Sequence, residues 1–265
     1  MTRIPRSHPR YRSLMIRERL VEGFKRGLVV PEGLIAHGRG EAFDYLLGEV
    51  SHPFALEAER AAVAWLLTAR RPVISVNGNY AALAAGEIRG LAEATGALVE
   101  VNLFYRTEER VRRIWRYLDE VGVPNLLPWD CEKTHIPGLE SPRGVTCRDG
   151  IGSADFVLLA IEDGDRTEAL VRAGKVVAAI DLNPFSRTAQ TASITIVDEA
   201  IRATVNMERM ARSMTREEAL EARRSYDNLE VLKASFAAIL ERLSHASKAG
   251  RPPSPGGGYE PLGGL

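Results

Sequence analysis

Five short apolar runs in this chain end in residues that can do chemistry. Pro72-Val-Ile-Ser-Val76 leads into Asn77-Gly78-Asn79, and Ala97-Leu-Val-Glu-Val101 into Asn102. Asp155-Phe-Val-Leu-Leu-Ala-Ile161 leads into Glu162-Asp163-Gly164-Asp165-Arg166, Lys175-Val-Val-Ala-Ala-Ile180 into Asp181-Leu182-Asn183, and Ser193-Ile-Thr-Ile-Val197 into Asp198. Glu162 and Asp163 suit a hydrated Mg²⁺, which takes one or two carboxylates and otherwise keeps water and substrate oxygens. Ser186-Arg187-Thr188 offers two hydroxyls and a guanidinium to a phosphate. His37-Gly38-Arg39-Gly40 reads as a turn ahead of a helix, bringing N–H groups and a cation to an anion. Plainer readings stand beside these. Asn, Asp and Gly favour turns anyway, Ser186, Asp165 or Thr167 can cap a helix, and Arg17 beside Arg19 fits a solvated face. Turn chemistry alone accounts for the set about as readily as a site does. Asn on both sides of Gly78, and three acids around Gly164, tilt the reading toward a site.

The elements that must position these residues follow from periodicity. Leu14, Val21 and Phe24 recur at helical spacing over Tyr11 to Phe24. Pro31 and Gly33 read as breaks, with helices expected over Glu41 to Leu47 and Ala55 to Ala69. Helices are expected after the first run as far as Thr95, over Thr107 to Val121, and over Thr167 to Arg172 with Gly174 as the stop. Two more are expected over Ala200 to Met214 and Arg216 to Ser244. Strands alternating with helices indicate parallel βαβ units, and near-continuous apolar strands indicate a sheet covered on both faces. The reading is therefore an α/β fold, a parallel sheet with helices on both faces, preceded by an N-terminal helical region. In such a sheet ligands bind outside the carboxyl ends of the strands. Segment 123–153, with four prolines, reads as irregular. The last 18 residues hold six Gly and four Pro, so a single domain over 1–247 and a flexible tail over 248–265 are expected.

Composition excludes several classes. With 35 Lys plus Arg against 35 Asp plus Glu, the formal net charge is +0, which argues against nonspecific nucleic-acid binding. Only five of the basic residues are Lys. No apolar stretch is long enough for a signal peptide or a membrane span, so a soluble, cytoplasmic protein is expected. Cys131 and Cys147 lack metal-ligand spacing and are expected as two inert thiols. There is no Gly-x-x-x-x-Gly-Lys-Ser/Thr loop, no Gly-x-Gly-x-x-Gly after a strand and no Gly-x-Ser-x-Gly elbow.

Six blocks carry more. They are Ile4-Pro-Arg-Ser-His-Pro-Arg-Tyr-Arg-Ser-Leu14, Gly33-Leu-Ile-Ala-His-Gly-Arg-Gly-Glu-Ala-Phe-Asp-Tyr45, Pro72-Val-Ile-Ser-Val-Asn-Gly-Asn79, Val101-Asn-Leu-Phe-Tyr-Arg-Thr107, Glu162-Asp-Gly-Asp-Arg-Thr-Glu-Ala-Leu170 and Asp181-Leu-Asn-Pro-Phe-Ser-Arg-Thr188. Together, over residues 4–210, they resemble archaeal phosphopantothenate synthetase, the 4-phosphopantoate–β-alanine ligase of coenzyme A synthesis. The resemblance implies a Rossmann-like core, a homodimer, and an ATP- and Mg²⁺-dependent condensation through an acyl-adenylate, releasing AMP and pyrophosphate. It implies nucleotide contacts from Arg17, Arg39, Asp181, Leu182, Asn183, Ser186, Arg187, Thr188, Asp198 and Glu199. The family often reads Val-Asp-Asn where this chain has Val197-Asp198-Glu199. Asn77, Asn79, Arg106 and Arg166 are assigned to the acid substrate and Glu162 and Asp163 to the metal. Asn79, Asp163 and Arg39 are assigned to catalysis. Two other readings remain open: a Rossmann-type oxidoreductase with Asp181 on a ribose, and a non-catalytic nucleotide-binding protein.

Overall fold

The computed structural model describes residues 4–8, 10–139 and 142–251. Three helices come first: α1 (Tyr11–Lys25), α2 (Pro31–Leu47) and α3 (Pro53–Thr68). Pro31 and Pro53 each open a helix, where a missing N–H is no loss and the fixed φ suits the first turn. The expected break at Pro31 and Gly33 is therefore a helix start. His37-Gly38-Arg39-Gly40 lies inside α2, so its N–H groups serve the helix and form no anion turn.

The strands, in chain order, are β1 (Pro72–Val76), β2 (Leu98–Val101), β3 (Lys133–His135), β4 (Val145–Cys147), β5 (Phe156–Ala160), β6 (Val176–Ile180) and β7 (Ile194–Ile196). The later helices are α4 (Gly78–Thr95), α5 (Glu108–Val121), α6 (Gly164–Arg172), α7 (Arg187–Thr191), α8 (Ala200–Ser213), α9 (Arg216–Ser225) and α10 (Asn228–Ala249). Five strands form one parallel sheet in the order β2-β1-β5-β6-β7. The winding reverses between β1 and β5, the doubly wound pattern with a topological switch point. Alternate residues face opposite layers. Ile74, Val76, Leu158, Ala160 and Ile180 join the larger core with residues of α3, α4, α5 and α8. Val73, Val157, Leu159 and Val177 join a second core with Leu170 of α6, Ile136 and Ile151.

Three expectations need correction. Residues 216–244 are not one helix: α9 ends at Ser225, and the Asp227 side chain caps α10. Helix α10 continues to Ala249, and residues 252–265 of the expected flexible tail lie outside the described residues. Segment 123–153 contains an antiparallel pair, β3 with β4, in the register Lys133↔Cys147.

The cysteines are not two inert thiols. Cys131 and Cys147 form a disulfide with Cα atoms 5.7 Å apart, because the β3–β4 register brings Cys131 beside the end of β4. A separation of 16 residues carries no pairing signal until that register is known. Glu100 of β2 fastens the same segment to the sheet. Its Oε1 accepts from Asn102 Nδ2, Thr146 Oγ1 and the Cys147 N–H, and its Oε2 from the Ile151 N–H. Closing a loop of this length stabilises by about 3 kcal/mol, mainly through the unfolded chain. Unreduced protein should therefore show no reactive thiol under denaturant. Cys131→Ser should lower unfolding free energy by about that amount, read by urea titration.

Candidate active site

A cavity of about 450 Å³ opens at the carboxyl ends of the strands. Its walls are the segments after β1 (Asn77, Asn79), β5 (Ile161 to Gly164), β6 (Asp181 to Asn183) and β7 (Asp198 to Ala200). Residues of α2, including Arg39, and Leu103 to Tyr105 after β2 complete it. Helices α4, α6 and α8 start at this rim, so their N–H-bearing ends carry partial positive charge toward it. Two glycines permit the close approach. A Cβ on Gly78 would lie 2.1 Å from the Leu28 carbonyl oxygen, and one on Gly164 would lie 2.5 Å from Arg187 Cβ. Ile161 adopts φ 52°, a strained conformation for a β-branched residue, and this turns the acidic segment into the cavity.

Several of the polar residues at this rim are helix caps. Asn77 Oδ1 accepts the Tyr80 N–H, while its amide donates to the Ala160 and Ile161 carbonyls at 2.7 and 3.1 Å. Asp163 Oδ1 accepts the Arg166 N–H, Ser186 Oγ accepts the Ala189 N–H, and Glu199 accepts from Ile201 and Arg202. Asp163, and not Asp165 or Thr167, is thus the cap of α6. Glu199 caps its own helix.

Other residues are held by the fold. Asn79 Nδ2 donates to the Gly33 carbonyl at 2.7 Å, tying α4 to α2. Asp181 accepts the Asn183 N–H and the Ser186 hydroxyl, so both its oxygens are engaged and neither waits for a ribose. Burial pushes its carboxyl up, against those two hydrogen bonds. Thr188 Oγ1 donates to the Glu162 carbonyl. Asp198 is buried, accepting from Ser51 and from Arg202 Nε at 2.8 Å. Arg202 also grips both oxygens of Asp44 on α2, at 3.1 and 2.6 Å. Arg187 pairs with Asp165 and Glu168 on the exposed rim.

Arg17 and Arg106 are not brought to the cavity wall. Arg17 is held by Glu41 at 2.9 Å and by the Tyr45 hydroxyl, outside the cavity lining. Arg106 follows the wall residue Tyr105 and is half-buried, and burial lowers its pKa. Arg166 is buried behind Glu162, with Nη1 3.5 Å from Oε2. Sequence reasoning missed Arg110 and Tyr105, which also line the cavity. Arg110 donates to the Leu28 and Tyr105 carbonyls and so shapes the wall. Arg39 differs from these cations. Among the described residues no hydrogen bond or ion pair holds it, and it faces the cavity near Asp181.

For a divalent cation the acids fit unequally. Asp163 Oδ2 is buried without a hydrogen-bond partner, which suits an oxygen awaiting a cation. Glu162 is pushed up to about 7 by burial, opposed by Arg166, and its oxygens already face Arg166 and the Asp163 N–H. No group of three potential metal ligands occurs among the described residues, so only a cation completed by water or substrate oxygens fits here.

Fold and site together define a doubly wound α/β protein with an anion-directed crevice at its switch point. Residues 54–242 match the family Phosphopantothenate/pantothenate synthetase, and the chain belongs to that family. It is 51% identical over 257 residues to the 4-phosphopantoate–β-alanine ligase of Thermococcus kodakarensis, covering 94% of this chain and 97% of the relative. It is 50% identical over 240 residues to the ligase of the same name from Methanospirillum hungatei, covering 91% and 98%.

The Glu162 carboxyl gives a pH signature. A carboxyl whose folded pKa is raised binds its proton more tightly in the native state, so its stabilising contribution is full at low pH and is lost as pH rises from about 4.5 to about 7. Thermal midpoints of the parent and of Glu162→Gln, compared at pH 5 and pH 8, should show the parent losing several degrees relative to the variant. Each pKa unit carries about 1.4 kcal/mol, and each kcal/mol about 2–4 °C. Parallel curves would contradict the assignment.

Proposed function

We propose that this chain condenses 4-phosphopantoate with β-alanine to 4′-phosphopantothenate, using ATP and Mg²⁺, as a ligase of coenzyme A synthesis. The observation that carries the reading is about 50% identity along nearly the whole chain to relatives of one name. The cavity supports it: an anion-directed crevice with an unengaged Arg39 is what a triphosphate needs.

The chemistry runs in two steps. A carboxylate is a poor acyl donor to an amine. One pantoate carboxylate oxygen attacks the α-phosphorus of ATP. The bond from that phosphorus to the bridging oxygen breaks, and pyrophosphate leaves. The neutral amine of β-alanine then attacks the acyl carbon. The C–N bond forms, the C–O bond to AMP breaks, and the nitrogen sheds a proton. Negative charge shifts across the phosphates in the first step, so fixed cations lower its barrier. Arg39 lies where it reaches those oxygens, and the starts of α4, α6 and α8 add oriented dipoles. The nucleotide lies against Asp181 to Asn183, Ser186 to Thr188, and Asp198 to Ala200. The acid lies toward Asn79, Arg106 and Arg166. Asp163 would hold Mg²⁺, which would supply Lewis-acid polarisation of the phosphates. The second step needs positioning and exclusion of water, which the walls from Leu103, Tyr105 and Ile161 provide. The protein acts as a cytoplasmic homodimer without nucleic acid or membrane. No helix among the described residues is long and apolar enough to cross a membrane.

Purified protein with ATP, 4-phosphopantoate and β-alanine should release pyrophosphate and AMP in equal amounts, dependent on all three reactants and on Mg²⁺. Absence of AMP with either 4-phosphopantoate or pantoate removes the ligase reading. Arg39→Ala should raise the KM for ATP about 10- to 100-fold, the loss of one charge-assisted contact, with an unchanged thermal midpoint. Unaltered kinetics would take Arg39 out of the site.

A further inference from the structure

Arg166 is the largest side chain that the fold buries completely, at 1% exposure. A guanidinium carries five N–H donors. Among the described residues, Nε, Nη1 and Nη2 are all buried without a hydrogen bond, and the one ion pair is to Glu162 at 3.5 Å. Leaving buried charged donors unbonded is costly, and a side chain kept this way is positioned to meet an acceptor.

The surroundings say which acceptor. Arg106 lies within electrostatic reach of both Arg166 and Glu100. Glu100 is acidic, but its two oxygens already accept from four donors, so it has little left to offer either guanidinium. Two further polar atoms in this layer are buried without partners. Ser75 Oγ stands on β1 in register with Glu100, and Asn102 Oδ1 belongs to the amide that donates to Glu100. Ser75 and Glu100 face the same side of the sheet as Val73 and Leu98, the side that α6 covers. The layer abuts the cavity, because Glu162 and Leu103 to Tyr105 are wall residues. The result is a polar layer behind the cavity wall, in which the Arg166 guanidinium is enclosed, that of Arg106 is half-buried, and Glu162 is the carboxylate paired with Arg166.

We infer that Arg166 and Arg106, with the Ser75 hydroxyl, form a phosphate-monoester subsite that selects the phosphorylated acid over the free one. The identity of the bound group rests on the ligase reading above. A dianionic phosphate offers three strong acceptor oxygens and takes bidentate contacts from Arg. It displaces Glu162 as the partner of Arg166, uses the open N–H donors, and takes a hydrogen from Ser75 Oγ. The unphosphorylated acid brings a hydroxyl to the same place, which cannot satisfy two guanidinium groups, so discrimination follows from leaving them unpaired.

The test is calorimetric binding of 4-phosphopantoate and of pantoate to the full chain, with a non-hydrolysable ATP analogue filling the nucleotide site. The parent should prefer the phosphorylated acid by about 100-fold or more, the worth of two charge-assisted contacts. Arg166→Met should reduce that preference to below about tenfold, by weakening 4-phosphopantoate binding while leaving pantoate and the nucleotide within about threefold. Since Arg166 is buried and its replacement can unfold the protein, Arg106→Gln, at a half-buried position, reads the same ratio and should lower it about tenfold. A folded Arg166→Met or Arg106→Gln that keeps the parental preference overturns the subsite, as does a parent that does not distinguish the two acids. If the parent releases no pyrophosphate with either acid, the ligase reading falls on its own. Inorganic phosphate, titrated with the analogue present, then decides the subsite: binding that Arg166→Met abolishes upholds it, and binding that survives, or none in the parent, overturns it.

Discussion

A parallel sheet sends every carboxyl end to the same edge, and everything at this site depends on that constraint. Five strands of ordinary apolar residues are enough to bring segments 77–79, 102–106, 161–166, 181–188 and 198–200 onto one rim, although they span more than 120 positions of sequence. Reversal of the winding between β1 and β5 opens a crevice there, because the connections from these two strands leave toward opposite faces. Once the edge exists, helix starts follow it. Each of α4, α6 and α8 begins within a few residues of a strand end, so its unsatisfied N–H groups point at the same space. Anion affinity is therefore a property of the topology before any particular cation is considered.

The rim is kept in place by charge buried beside it. Arg202 on α8 is gripped by Asp44 of α2 and Asp198 after β7, and these attractions raise its pKa although burial opposes them. Glu59 of α3 sits against the same cluster, and burial with the nearby Asp198 pushes its carboxyl well up, which disfavours a second uncompensated charge there. Such a network adds little net stability compared with apolar packing, but it tolerates one arrangement of three elements. That matters because α2 carries Arg39. The distance from Arg39 to the rim is fixed through the Asp44 contact with Arg202, and the rim itself through Asp198.

Much of this was legible in the sequence, for reasons that also explain the failures. The five strands were readable because parallel strands buried on both faces are apolar throughout, and their polar ends are abrupt. The N-terminal region was misread at Pro31 because proline both ends and starts helices, and only the extended Val30 before it decides which. The β3–β4 pair was invisible because three-residue strands have no usable period. The disulfide was invisible with them, since its pairing depends on their register. The sequence assigns Arg166 to the acid substrate as a cation beside three acids, with nothing to say that it is enclosed. Its burial depends on α6 lying over the second face of the sheet, which no local pattern reveals.

The two readings of the polar strand ends, as turn and cap chemistry or as a site, are not rivals. Asn77, Asp163, Ser186 and Glu199 cap helices with their own side chains, and in doing so they use most of their hydrogen-bonding capacity. What they leave for a ligand is indirect: a rigid loop, a helix start held at a fixed angle, and occasionally one spare oxygen such as Asp163 Oδ2. Direct contact must come from groups the fold has not consumed. Among the described residues those include Arg39 at the cavity wall and Arg166 behind it, one open to the crevice and one enclosed. Under the proposed function, a cation in the open is assigned to a triphosphate that water also reaches, whereas an enclosed one is assigned to a group stripped of water. Placing the second guanidinium in the interior makes its contact worth more for the right anion and more costly for the wrong one. Selection between two acids that differ by a phosphate calls for that difference.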